Sequence, residues 1–291
     1  MAAMKNGLCL ALCLGLCVLQ GASSARADIS PEQQKVEIPS GISKAAQAAF
    51  DAGDFLTAAR EARKGTNAEA AAMAARANLA EGDFIALAGE RRALFAEAER
   101  DARLALSRDP ENIEGHLYLA LALGFLGRID GTMKAHFGGY ANEARTHIDA
   151  ALTLEPDNPW GHALDGGWNL EITRNGGMLG EAIYDASFEK GVAAYREALT
   201  LEPGNTAIAY QFALQLLAAG GKPNRDEAYR VVARSLAPRD ETAVERMARR
   251  RAQRLKLALD TNDRLTLRDI LREGLGTGND ATRQGLAPGR R

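Results

Sequence analysis

One phrase occurs three times in this 291-residue chain and constrains its fold more than any other feature. Ala105-Leu106-Ser107-Arg108-Asp109-Pro110-Glu111-Asn112 returns as Ala151-Leu152-Thr153-Leu154-Glu155-Pro156-Asp157-Asn158. It returns again as Ala198-Leu199-Thr200-Leu201-Glu202-Pro203-Gly204-Asn205, with the prolines 46 and 47 residues apart. Near-constant spacing marks a unit that cannot bury its apolar face alone and must stack on copies of itself. The phrase reads as a helix stop followed by a helix start. Ala144, Ile148, Ala151 and Leu152 recur at helical spacing and form one apolar face. Proline has no amide to donate and disfavours helical geometry in the residue before it. Asn112, Asn158 and Asn205 then stand where a side-chain oxygen can cap the next helix. Helical periodicity resumes beyond each turn, as in Leu117, Leu119, Ala120 and Leu123, or Tyr210, Phe212, Ala213, Leu216 and Leu217.

These residues resemble the tetratricopeptide repeat, a helix–turn–helix unit of about 34 residues. Its closing pattern is matched by Ala144, Ile148, Ala151-Leu152 and Glu155-Pro156, and by Tyr195, Ala198-Leu199 and Glu202-Pro203. Its first-helix pattern is matched by His116, Leu119-Ala120, Leu123 and Gly127. Gly53-Asp54-Phe55 with Ala58 and Ala62 is similar to the turn and second helix of an earlier unit, and Gly82-Asp83-Phe84 opens another. Ala228, Val232 and Ser235-Leu236 close a divergent fifth. Two periods exceed the family length by about 12 residues, an excess placed near residues 129–140 and 173–188. The resemblance implies an all-α fold of antiparallel helix pairs, stacked as a right-handed α-solenoid. The stretch His162…Gly166-Gly167-Trp168-Asn169-Leu170-Glu171-Ile172 also resembles the eukaryotic regulators of microtubule dynamics, which carry similar degenerate repeats; no function is taken from that second likeness.

The expected organisation is a signal peptide over 1–27, a leader over 28–42 with Pro31 and Pro39, and repeats over 43–239. Capping helices follow over 240–273 and a disordered tail over 274–291. Lys5, the uncharged apolar run Leu8–Leu19 and the small-x-small close Ala25-Arg26-Ala27 make residues 1–27 read as secretory. The apolar run is short of the roughly 20 residues that span a bilayer. Cys9, Cys13 and Cys17 all lie inside it, each preceded by leucine rather than the small residue that lipoprotein processing needs. Cleavage after Ala27 would leave a periplasmic chain without cysteine and with a net charge of −4. Retention of the segment as an anchor is the alternative. Arginine outnumbers lysine and alanine is abundant, as in a GC-rich bacterial genome.

No chemistry-bearing motif appears. The four histidines His116, His136, His147 and His162 form no metal-ligand pair, and no nucleophile elbow or phosphate-binding loop is present. No catalytic residue, metal or cofactor is therefore expected. His162, Asp165, Asn169 and Glu171 could form a polar site, or a buried structural network. The glycine pairs 138–139, 166–167, 176–177 and 220–221 read as turns or close helix contacts. The mild acidity and the export signal exclude a nucleic-acid role. Arg246, Arg249, Arg250, Arg251, Arg254 and Lys256 read as the solvated face of a capping helix; contact of Arg249, Arg250 and Arg254 with an anionic membrane surface is the functional alternative.

In the resembling family, partners lie in a concave groove lined by the first helix of each pair. Aligning those helices places Glu114, Leu117, Tyr118, Leu121 and Phe125, then Trp160, Ala163, Leu164 and Gly167, then Ala207, Tyr210, Gln211 and Leu214 in that groove. The lysine–asparagine clamp with which some members hold a terminal carboxylate is absent. What remains is apolar, with aromatic anchors of the kind that dominate interfaces. The function expected is a non-catalytic scaffold in the cell envelope that binds a protein partner there. Two readings compete with it. Inserted segments could fill the groove with the chain's own residues, or the protein could be an enzyme or enzyme subunit with a site around His162, Trp168 and Glu171.

Overall fold

Three matching turns organise the protein, which a computed structural model describes over residues 41–131, 136, 138–237 and 242–276. In each, the asparagine amide donates to the carbonyl of the acidic residue three positions back: Asn112 to Asp109, Asn158 to Glu155 and Asn205 to Glu202, all at 3.1 Å. Each asparagine side chain then accepts from an amide of the following helix: Gly115 at 2.7 Å, Gly161 at 2.9 Å and Ile208 at 3.0 Å. Glu155 and Glu202 hold the capping amides of Asn158 and Asn205 in place through their carboxylates. The repeated phrase is thus a self-contained device that ends one helix and aims the next.

Twelve helices and no strand occur among the described residues, which all belong to the compact unit 38–291. Five antiparallel pairs come first: α1 (Lys44–Ala52) with α2 (Phe55–Ala62), α3 (Ala68–Phe84) with α4 (Ala88–Arg108), and α5 (Ile113–Asp130) with α6 (Tyr140–Leu154). Then come α7 (Pro159–Tyr184) with α8 (Phe188–Leu201), and α9 (Thr206–Ala219) with α10 (Lys222–Ser235). The first helices α3, α5, α7 and α9 pack side by side in succession, so the pairs stack as an α-solenoid of tetratricopeptide-like units. Helices α11 (Ala243–Asp260) and α12 (Arg264–Leu275) follow. Thr242 and Glu245 form the reciprocal capping box that starts α11.

The path of α11 is the unexpected element. Its C-terminal residues Ala252, Leu255, Ala258 and Leu259 enter the core of α8, α9 and α10. Its N-terminal residues Ala243, Val244 and Met247 enter the core of α1, α2 and α3 instead. This helix therefore joins both ends of the repeat array rather than only covering the last unit. Such burial is the main stabilising term, about 1.5–3 kcal/mol for each large apolar side chain taken fully from water.

Three expectations need correction. Gly82-Asp83-Phe84 opens no unit: it is the last turn of α3, and the chain turns at residues 85–87. Gly82 is required there by contact, since a Cβ would stand 2.5 Å from the Phe95 ring. The final helix also runs past residue 273, because Leu275 is buried and Gly274 packs on Leu214. The second insertion extends α7 as helix to Tyr184, with one non-helical residue, Gly177, at φ 53°. Residues 1–40 and 277–291, with the expected signal segment, most of the leader and most of the tail, lie outside the described residues.

Gly166 of α7 and Gly191 of α8 mark a close helix crossing. A Cβ on Gly166 would stand 2.5 Å from the Tyr195 ring and 3.0 Å from the Gly191 carbonyl oxygen. Gly166→Ala is expected to lower unfolding stability by about 1–3 kcal/mol. Gly124→Ala, in the α5 interior with no atom near its Cβ, should raise it by about 0.5–1 kcal/mol through helix propensity. Urea unfolding of the two variants checks the opposite signs.

Candidate functional site

The first helices and α11 border a half-open cavity of about 930 Å³, at the upper end of the usual range for ligand pockets. Of the residues expected in the groove, Tyr118, Leu121 and Phe125 from α5, Trp160 and Leu164 from α7, and Tyr210 and Gln211 from α9 line it, whereas Leu214 does not: it is fully buried in the core of α8, α9 and α10. They are not equally free to bind. Trp160 is 43% exposed. Tyr210 is buried, which pushes its hydroxyl up to about 12. Tyr118 packs against three separate core clusters, and Phe125 stacks on Phe95 with ring centres 4.4 Å apart. Tyr118 and Phe125 therefore hold the wall up as well as facing the space.

Besides α6, which brings Tyr140, Ala141, Ala144 and Ile148, two contributors to the lining have no counterpart in the sequence reading. One is α11, which brings Val244, Ala248 and Arg251. The other is the α7 extension, whose Leu179 and Ile183 line the cavity while staying exposed, beside an exposed Met178. Tyr184 ties this extension to the preceding insertion, sharing a 2.5 Å hydrogen bond with His136 Nδ1 and meeting the Trp168 ring edge-on. The extension borders the cavity and leaves its volume open.

Three arginines line the cavity. Arg128 pairs with Glu171 and donates to the Gly274 carbonyl at 3.3 Å, while Gln215 donates to the same Glu171 oxygen; this links α5, α7, α9 and α12. Arg251 pairs with Asp83 at 2.9 Å and lies 4.3 Å above the Phe84 ring. That corrects the reading of Arg251 as part of a solvated face: α11 crosses to the first units, where Asp83 at the end of α3 receives it. Other members of the basic cluster also serve internal contacts. Arg249 donates to the Leu236 and Ala237 carbonyls, and Arg254 pairs with Glu273. Arg250 is exposed. Arg76, the third lining arginine, lies 4.5 Å over the Phe50 ring with no hydrogen-bonded acceptor among the described residues.

The four candidate polar residues do not converge. His162 Nε2 donates to the Pro156 carbonyl at 2.8 Å, and His116 does the same to Pro110 at 2.9 Å. Asn169 is buried; it donates to Asp165 and accepts from the Ser187 amide, and Asp165 in turn accepts from Arg145. Glu171 faces the cavity but is taken by Arg128. Among the described residues no group of three or more His, Cys, Asp or Glu could hold a metal, and no helix is long and apolar enough to cross a membrane.

A helical-repeat protein built around an apolar cavity is the class this geometry defines. The chain belongs to the family of regulators of microtubule dynamics proteins 1-3, whose model matches residues 42–260. It is 27% identical over 124 residues to regulator of microtubule dynamics protein 3 of Bos taurus, covering 40% of this chain and 26% of that protein. The corresponding protein of Rattus norvegicus is 25% identical over 122 residues, with the same coverage. The chain thus matches only about a quarter of the length of these relatives. A thermophilic TPR protein of Thermus thermophilus aligns structurally with a TM-score of 0.48 at 20% identity, over 72% of this chain and 99% of that one.

The His116–His147 pair gives the contact between α5 and α6 a pH dependence. His116 Nε2 is committed as donor to Pro110, so its Nδ1 accepts from His147 Nδ1 at 2.8 Å. Burial first, then His116 and Arg103, lower the His147 pKa from 6.5, with Glu143 opposing them. A depressed histidine binds fewer protons folded than unfolded. Its contribution is therefore present above pH 6.5 and is lost as pH falls through the lower folded value. His147→Leu should abolish that part of the loss, seen by comparing urea midpoints at about pH 7.5 and about pH 5.

Proposed function

We propose that the protein is a non-catalytic scaffold which holds an apolar or helical segment of a protein partner in this cavity. We further propose that it works in the bacterial periplasm after cleavage following Ala27. The observation that carries the binding reading is the cavity itself. It retains about 930 Å³ between packed helices, with Trp160 exposed into it, Leu164 partly buried beside it and aromatic side chains around them. Amphipathic helices commonly dock in such apolar grooves through side chains at helical spacing. Asp165 and Asn169 bond to each other in a structural network with Arg145 and Ser187, while His162 and Glu171 are engaged elsewhere, which supports binding over catalysis. The relatives' names describe regulators, which agrees with a binding role. The export reading rests on residues 1–27 alone.

The test is capture of partners by the tagged protein from its native envelope, beside Trp160→Ala and Trp160→Ala/Leu164→Ala variants. Tyr118 is a poor choice for substitution because it supports three core clusters. A specific protein should be captured by the wild type and lost in the variants, with the melting temperature of Trp160→Ala little changed and that of the double variant lowered, because Leu164 packs against a core cluster. Capture unaffected by both variants would remove the cavity from the function. Intact mass of the recovered protein should begin at Asp28; an N-terminus at Met1 would overturn the export proposal.

A further inference from the structure

Arg76 is placed unlike the other two arginines of the cavity. Arg128 and Arg251 each have a carboxylate in contact, Glu171 and Asp83. Arg76 has the Phe50 ring beneath it and no acceptor hydrogen-bonded to it among the described residues. Its pKa is raised further above the ordinary arginine value, with Tyr118 the largest cause, desolvation opposing it, and Glu114, Asp51 and Glu245 adding smaller effects. Glu114 is itself engaged, accepting from the Tyr118 hydroxyl at 3.4 Å. A guanidinium carries five donors in a planar fork suited to a carboxylate. Arg76 is only partly buried and its nitrogens stay within reach of water, so a carboxylate entering this mainly apolar space can take the place of that water at the fork. The apolar stretch through Leu117, Leu121, Leu164 and Trp160 lines the same cavity.

Resting on the scaffold reading above, we propose that Arg76 is an anion subsite, and that the occupant is an apolar peptide segment carrying one carboxylate which pairs with it. The carboxylate can be an acidic side chain or a free C-terminus; both present the same oxygens to the fork. Charge complementarity is what commits the cavity to such a segment. A purely apolar helix would leave the guanidinium unpaired and shut away from water, and a basic one would be repelled by it.

The test pans two random-peptide libraries on the purified full chain, one displaying free C-termini and one with its C-termini fused to the carrier. Selected peptides are then synthesised and titrated against wild type, Arg76→Met, Arg76→Lys and Trp160→Ala. Wild type should select apolar peptides with one acidic residue, or with a free terminus only in the first library. Replacing the glutamate by glutamine, or the terminal carboxylate by amide, should weaken binding at least about tenfold, the scale of one charge-assisted bond. Arg76→Met should lose that discrimination and Arg76→Lys should keep part of it. Peptides that need Trp160 but show no preference for an acid, and bind Arg76→Met equally, would overturn the subsite and leave the scaffold reading standing. Absence of any Trp160-dependent peptide would overturn both. Dodecanoate, titrated by tryptophan fluorescence, is the control for a small amphiphile: Arg76-dependent binding of it without any peptide would overturn the peptide occupant. Should Arg76→Met fail to fold, the glutamate-against-glutamine comparison on wild type decides the question alone.

Discussion

The structure depends on a hydrogen-bonded turn in which an acidic residue, a proline and an asparagine end one helix and begin another. Proline cannot continue the helix, and the asparagine oxygen accepts the first unpaired amides beyond it. Because Asn112, Asn158 and Asn205 cap with nearly the same geometry, successive first helices leave their turns in related directions. His116 and His162 reinforce two of these turns by donating to the proline carbonyls. The third has Ala209 in that place, four residues after Asn205. Without this repeated redirection the first helices would not share a wall, and there would be no cavity.

Helix α11 turns an array into a half-enclosed space. A stack of helix pairs leaves an uncovered face at each end and along one side. Here one helix enters the first core with Ala243, Val244 and Met247 and the last with Leu255 and Leu259. The Arg251–Asp83 pair fixes its crossing. The same crossing closes one flank of the cavity, so stability of the array and the shape of the binding space share their residues. Membership of the microtubule-regulator family spans both features, since the matched residues 42–260 run from α1 to the end of α11.

The aromatic wall shows why facing a cavity and being free to bind are separate properties. Trp160 keeps nearly half of its surface exposed, whereas Tyr210 and Tyr118 are fixed by packing. Sequence alignment of first helices finds all three alike, because it reports only the helix face on which a residue lies. How much of each ring the neighbouring helices cover depends on the distance and angle between them.

The groove face came from aligning first helices with the resembling family, whereas the helix pairs and their caps were determined by the sequence alone. These follow from local rules: a proline with no donor, an asparagine at a cap, and apolar residues at a period near 3.6. It also showed that Gly166-Gly167 would be a turn or a close contact, though not which. Only the tertiary structure decided that α11 returns to the first repeats, that Gly82 sits under Phe95, and that Arg251 meets Asp83 across 168 residues. It alone separated Arg76, left without an acceptor among the described residues, from Arg128 and Arg251. A helix's periodicity states which face is buried but carries no record of the partner. Pairings between distant residues are set by the summed twist of all the units between them, and no local pattern contains that sum.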